Sequence, residues 1–338
     1  MVSVADVKAS NARITVDSVP RVSVLCGATD GIGKAFLTRL VATKLKIRVY
    51  VLGRNGDKHK AFLDELRRGN AKADLIWIEC QLSQGSDIRR ACDEIQRQET
   101  SIDLLYMSAG FINAGSAKSK TDEQQKLSIM LSYYGRLLFA ILLQPLLKAS
   151  TNSPRVISVL ACGNETADIF LDDLDMLKPE HASLTQRSRS LSTYTTISFG
   201  RLARENPRVL YFHHYPGGVN TGVFKKSFGM AWYWPLLSLA LCMGATSPAD
   251  AGEKVLYMGS SAKYSGASSK EGTKGGVPLA SGQSAGLNMD KTTGGGALFL
   301  VNDKMKELYQ EKVMADLEKR NAPAIVWEKA MDTLKPYL

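Results

Sequence analysis

The chain has 338 residues, 44% apolar and 22% charged, with 43 Lys and Arg against 33 Asp and Glu for a formal charge of +10. That balance excludes a disordered chain and a membrane-embedded one, and the length suits a single α/β domain, 1–338, carrying insertions. The cations are scattered, with short pairs such as Arg67-Arg68 and Lys225-Lys226 and no recognition motif, so they read as a solvated basic face and nucleic acid is not an expected partner.

The first residues, "MVSVADVKASNARITV", lack the basic region and apolar run of a secretory signal. Cys26, Cys80, Cys92, Cys162 and Cys242 are odd in number, unevenly spaced and without a C-x-x-C pair. Neither a disulfide framework nor a metal site is expected, and a reducing, cytoplasmic setting fits.

Apolar runs then alternate with amphipathic stretches. "RVSVLC" precedes a helix from Gly31 to about Thr43, "IRVYVLG" a helix around Lys58 to Arg68, and "DLIWIEC" a helix near Ser86 to Gln98. "DLLYMSAG" precedes a long helix from about Glu123 to Lys148, "RVISVLA" a helix ending in "GRLARE", and "RVLYFHHYPGG" is the sixth strand-like run. Six such runs predict a Rossmann-type, doubly wound parallel sheet in a three-layer α/β/α arrangement.

Beyond Pro216 the pattern changes. Residues 222–247 hold "GMAWYWPLLSLALCMG", too short and too broken by Pro235 for a membrane-spanning helix of about 20 residues. An apolar lid, a protein contact or a peripheral membrane contact through 230–243 is expected, with packing on the core as the alternative. Residues 259–296 carry ten glycines in 38 positions and read as a flexible loop. From 297 to 338, "ALFLVN" predicts a last strand and "KMKELYQEKVMADLEKR" a charged amphipathic helix within a C-terminal helical extension.

After the first strand comes Gly27-Ala28-Thr29-Asp30-Gly31-Ile32-Gly33. Glycines there allow a tight turn and let backbone N–H groups approach a pyrophosphate, whose charge is favoured at a helix N-terminus. With this G-x-x-x-G-x-G spacing, with "MSAG" (Met107 to Gly110) after the fourth strand and "PGGVNT" (Pro216 to Thr221) after the sixth, the stretch from Arg21 to Met258 resembles the short-chain dehydrogenase/reductase family. The resemblance implies a dinucleotide held by Gly27, Thr29, Asp30, Gly31, Ile32 and Gly33. It adds Gln81 and Leu82 after the third strand, Ser108, Ala109 and Gly110 after the fourth, and Pro216, Gly217, Val219 and Thr221 after the sixth. Gln81 stands where the family usually has an aspartate, and its amide oxygen can make the same bond. Arg54, closing the second strand, points to the 2′-phosphate of NADP(H).

The family's proton donor is a Tyr with a Lys one helical turn on, assisted by a Ser and an Asn. Alignment of "RVISVLACG" puts Ala161 at the serine, "LSYYGRLLF" puts Ser132 at the asparagine, and counting back from "LARE" puts Ser188 and Ser192 at the Tyr and Lys. Tyr194 is a candidate donor six residues late, rotated by roughly 240° and about 9 Å along the helix. Tyr133, Tyr134, His213, His214 and Tyr215 are the other candidate acids; core packing is the alternative for Tyr133 and Tyr134, and of the two histidines one is expected in the core and the other within reach of the substrate.

The expected function is an NADP(H)-dependent oxidoreductase with a relocated donor, acting on a small hydrophobic substrate. Further copies of the chain are the expected assembly partners. A non-redox isomerase, dehydratase or cyclase, or a nucleotide-sensing pseudoenzyme, is the alternative. The C-terminal pattern is similar to divergent fungal members of the family, which implies a secondary-metabolite substrate.

Overall fold

Short runs of Val, Ile, Leu and Tyr, apolar at successive positions, can bury both faces only in a sheet covered on each side. The computed structural model describes residues 2–110, 122–221, 246–264, 275–293 and 297–338, and in it those runs form such a sheet. Its strands are β1 Val22–Cys26, β2 Ile47–Gly53, β3 Ala73–Glu79, β4 Leu104–Met107, β5 Arg155–Val159, β6 Leu210–His214, β7 Leu298–Val301 and β8 Glu307–Leu308. Their order is β3-β2-β1-β4-β5-β6-β7-β8, parallel throughout except for the antiparallel β8 edge.

Side chains alternate between two cores. Val24, Cys26, Tyr50 and Leu52 face α4 (Gly85–Gln98), the segment from α5 (Asp122–Ile129) through α6 (Gly135–Leu142) and α7 (Gln144–Ala149), and α8 (Leu184–Glu205). Leu25, Val49 and Val51 face α2 (Gly31–Val41), α3 (Gly56–Gly69) and the Pro248–Ser260 helix. The result is the three-layer α/β/α Rossmann fold.

Three sequence expectations are corrected, and one element is new. The long helix expected over Glu123 to Lys148 is interrupted by a π-helical turn, Met130–Tyr134, and broken at Leu143 ahead of Pro145. A Cβ on Gly135 would lie 2.8 Å from the Met130 carbonyl oxygen, so the glycine permits the wider turn. The stretch expected to be a free loop from 259 begins inside a helix, since Gly259 and Ser260 complete Pro248–Ser260. Farther on, Tyr264 and Val277 are core residues, and Val277 bonds Ser260 and Ala262 through its backbone. In the tail, Glu307 and Leu308 pair with β7, so the charged helix starts only at Glu311. Finally, an unforeseen helix α1 (Val4–Asn11) opens the chain. Its Lys8 pairs with Asp250 at 2.7 Å, and Asn11 Nδ2 donates to Glu253 Oε2 at 2.7 Å on the Pro248–Ser260 helix.

The apolar segment at 222–247, up to residue 245, and the contact expected through 230–243 lie outside the described residues. Among the described residues no helix is long and apolar enough to cross a membrane, and Cys26, Cys80, Cys92 and Cys162 are free and buried.

Candidate active site

In a doubly wound sheet, ligands bind beyond the carboxyl ends of the strands where the strand order reverses. Here that point lies between β1 and β4. The turns that follow these strands touch. Ser108 N–H donates to the Cys26 carbonyl (2.9 Å), Ala109 N–H to the same oxygen (3.2 Å), and Ser108 Oγ to the Gly27 carbonyl (3.1 Å).

The glycines of the first turn are there by necessity. Gly27 has φ +98°, and a Cβ on it would lie 2.5 Å from the Ala109 amide nitrogen. One on Gly33 would lie 2.2 Å from the Gly27 carbonyl oxygen. Gly31 has φ +53° and faces Thr221, whose Cγ2 would lie 3.0 Å from an added Cβ. The structure therefore brings Thr221, from beyond β6, onto the N-terminus of α2. Asp30 caps that helix by accepting the Gly31 N–H at 2.8 Å. Thr29 and Ile32 are half-buried in the same turn, and Pro216, Gly217 and Val219 lead from β6 towards Thr221. Gly217, φ +73°, rests against Asp303.

Arg54 is exposed just beyond β2. The Glu79 carboxylate shapes its turn by accepting the Asn55 N–H (2.7 Å), the Gly56 N–H (3.2 Å) and the Trp77 indole N–H (2.9 Å), and these bonds hold its pKa below the usual carboxylate range. Gln81 donates its backbone N–H to Asp87 at 2.9 Å, and Leu82 borders a small cavity with Cys26, Met107, Ala109 and Arg136. Gly110 is exposed at the rim.

The candidate acids separate into buried and open. Tyr133 is 4% exposed with its hydroxyl 2.7 Å from Ser198 Oγ, and Tyr194, 1% exposed, packs with its ring centroid 5.6 Å from that of Tyr133. Burial pushes both phenols up in pKa, the opposite of what a proton donor at neutral pH requires. Tyr134 donates to Asp175 Oδ1 at 2.6 Å, which also pairs with Lys329. Tyr194 and Tyr133 thus lie packed together in the core. Ser132 is buried within the π-helical turn that abuts α8.

His214 is a core residue as well. It is fully buried, its Nδ1 donates to the Val301 carbonyl at 2.8 Å, and burial lowers its pKa to about 4. The folded protein holds it neutral while the unfolded chain protonates it near 6.5. Its contribution to stability is therefore complete above pH 6.5 and falls as pH drops towards 4, by about 3 kcal/mol in all. Denaturant unfolding of His214→Asn should show a shallower loss across that window than the wild type, and an unchanged slope would contradict the assignment.

His213 belongs to a network that sequence reasoning missed. Its Nε2 accepts the Ala161 N–H at 3.3 Å, which leaves Nδ1 protonated, 2.9 Å from Thr196 Oγ1 and 3.3 Å from Glu165 Oε1. Thr196 Oγ1 donates to Glu165 Oε1 (2.9 Å), while Gly163 N–H (2.7 Å) and Gln310 Nε2 (3.0 Å) donate to Glu165 Oε2. Burial alone would raise the Glu165 pKa, but the bonds from His213 and Thr196 outweigh it and hold it low. An ionised, buried carboxylate thus fixes the loop after β5.

That loop carries Ala161, and the Ser192 hydroxyl donates to its carbonyl at 2.9 Å. The contact supports the alignment that places Ser188 and Ser192, one turn apart on α8, beside the end of β5. Arg136 was also missed. Its guanidinium is buried and donates to Ser158 Oγ (2.8 Å) and to the Val159 (2.7 Å) and Ala109 (2.9 Å) carbonyls. Burial lowers its pKa to about 10, so it stays a cation that ties the ends of β4 and β5 together. Tyr215, in contrast, is 37% exposed at the end of β6.

Residues 21–163 match the family model described as short chain dehydrogenase. Oxidoreductase AN1596 of Emericella nidulans is 34% identical over 338 residues, 97% of this chain and 96% of that protein. Oxidoreductase andH of Emericella variicolor is 29% identical over 99% of this chain and 97% of its own length. Among solved structures, an NADPH-bound short-chain oxidoreductase from Pseudomonas aeruginosa PAO1, described as containing an atypical catalytic center, aligns with a TM-score of 0.55 at 20% identity, over 71% of this chain and 90% of that one. That last likeness is one of fold. With a relative 34% identical along nearly its whole length, and with the glycine turn, the β4 turn and the β6 exit meeting at one crevice, this chain belongs to the short-chain dehydrogenase family of oxidoreductases.

Proposed function

We propose that the protein is an NADP(H)-dependent oxidoreductase acting on a small hydrophobic carbonyl or alcohol, of the kind found in fungal secondary metabolism. The observation that carries the reading is the glycine cradle. At Gly27 and Gly33 a side chain has no room between backbones, and at Gly31 the backbone is left-handed against Thr221. A turn built this tightly lets a pyrophosphate approach the backbone at the start of α2, where Asp30 now accepts the Gly31 N–H, so the residues fit a dinucleotide. Bound there, reduced nicotinamide would supply a hydride. The chain's part is to hold the phosphates at Gly31 to Gly33 and to place the substrate beside Ala161, Ser188 and Ser192.

Arg54 supports the phosphorylated nucleotide. Its exposed guanidinium makes no ion pair among the described residues and stands where a 2′-phosphate is read in such folds. Arg54→Ala is expected to weaken NADPH about tenfold and to leave NADH unchanged, measured by fluorescence titration of the reduced nicotinamide. Equal losses for both nucleotides would count against the reading. The relatives named oxidoreductase andH and oxidoreductase AN1596, and the NADPH-bound bacterial neighbour, agree with it.

A second reading is favoured by one observation. The sequence alignment puts Ala161, Ser188 and Ser192 where the family has its acid and helpers, and that suits an isomerase, dehydratase or cyclase on the same scaffold. Turnover independent of the redox state of the nucleotide would select it.

A further inference from the structure

We infer that Tyr215 is the proton donor of the reaction proposed above, presented from the sheet instead of from α8; the inference rests on that oxidoreductase reading. Alternate residues of β6 face α8. The Tyr211 ring lies 5.6 Å from the Phe199 ring, and His213 Nδ1 lies 2.9 Å from Thr196 Oγ1. Each step of two residues along β6, about 6.6 Å, therefore matches a step of three or four residues back along α8, about 5 to 6 Å. The next step pairs Tyr215 with Ser192, whose hydroxyl is already 2.9 Å from the Ala161 carbonyl.

Continued by one residue past β6, this alternation puts Tyr215 level with Ser192 and on its side of the sheet. Its backbone is fixed, since its N–H donates to the Val301 carbonyl at 3.0 Å, while 37% of the residue is open. It directly precedes Pro216 and Gly217 on the way to Thr221, which touches the glycine turn at Gly31. Serines at 188 and 192 leave room where a bulkier pair would stand. The competing donors are closed off: Tyr133, Tyr194, His213 and His214 are all buried.

In the reaction, a hydride adds to the substrate carbonyl carbon, the C=O electron pair moves to oxygen, and the Tyr215 hydroxyl gives that oxygen its proton. The phenolate left behind is reprotonated from water, and the nucleotide leaves oxidised.

The test needs no substrate. A cationic nicotinamide beside the phenol favours phenolate, whereas the neutral reduced ring does not. Tyrosinate absorbance of the purified protein, titrated with pH, is expected to begin about one pH unit lower with NADP⁺ bound than with NADPH bound. The difference should vanish in Tyr215→Phe and persist in Tyr309→Phe, which removes an equally exposed phenol elsewhere. The same difference in Tyr215→Phe, or none in the wild type with NADP⁺ demonstrably bound, would overturn the assignment. Failure of both nucleotides to bind would overturn the oxidoreductase reading itself, and the assignment with it.

Discussion

Gly27→Ala is expected to weaken NADPH by about a hundredfold while leaving a folded protein. Two effects combine at this position. The residue has φ +98°, a region that costs an L side chain on the order of 1–3 kcal/mol. The new Cβ would also stand 2.5 Å from the Ala109 amide nitrogen and 2.9 Å from its Cα, so it meets backbone and not a flexible side chain. The β1 and β4 turns must therefore separate, and a hundredfold loss of affinity, about 2.7 kcal/mol, is what the backbone strain and this clash together amount to. Gly218→Ala is the control, because nothing lies within 4 Å of a Cβ there. Fluorescence titration of both variants, alongside thermal melts, checks the outcome; wild-type affinity in Gly27→Ala would show that the turn does not hold the nucleotide.

Glu165→Ala should carry the largest cost in stability. It removes the acceptor of Gly163 N–H, Thr196 Oγ1 and Gln310 Nε2, and leaves His213 without its anionic neighbour. Unmet buried donors cost about 1–3 kcal/mol each, partly recovered by relaxation, so a loss of about 4 kcal/mol is expected, roughly 10 °C in Tm. The folded-state pKa of Glu165 lies below its ordinary 4.5. Its stabilisation is therefore complete above pH 4.5 and is lost as pH falls through the lower, folded value. Glu165→Gln, which cannot ionise, should unfold at a lower temperature at neutral pH and converge with the wild type in acid. Identical melting curves at neutral pH would show that the network carries no net stability.

The architecture was legible because it rests on local signals. Runs such as "IRVYVLG" are apolar at successive positions, and that needs only neighbours on both faces to become β2. Gly27, Gly31 and Gly33 were legible because the backbone geometry they serve excludes every other residue. α1 was not, since its eight residues have no amphipathic period and it is held by Asp250 and Glu253, some 240 residues away in sequence. The π-helical turn at Met130 to Tyr134 leaves no periodic trace either, because it shifts the register by a single residue.

The catalytic region was harder for a related reason. Tyr194 attracted attention by its place in "YTTIS", yet only packing shows that its ring faces Tyr133 and the core. Glu165, Thr196, His213 and Gln310 come from four separate elements, and no spacing along the chain announces that they meet. Tyr215 was one candidate among six in the sequence. Its exposure, and the pairing of β6 with α8 at Tyr211 and His213 just before it, distinguish it from the rest.

The measurement that bears most directly on this account is a calorimetric titration of the wild-type protein with NADPH and, separately, with NADH. Saturable binding of NADPH at least tenfold tighter than that of NADH is the predicted result, the Arg54 guanidinium supplying about 1.4 kcal/mol of the difference. Absence of heat with either nucleotide, in protein that melts cooperatively, would contradict a crevice built to hold NADP(H).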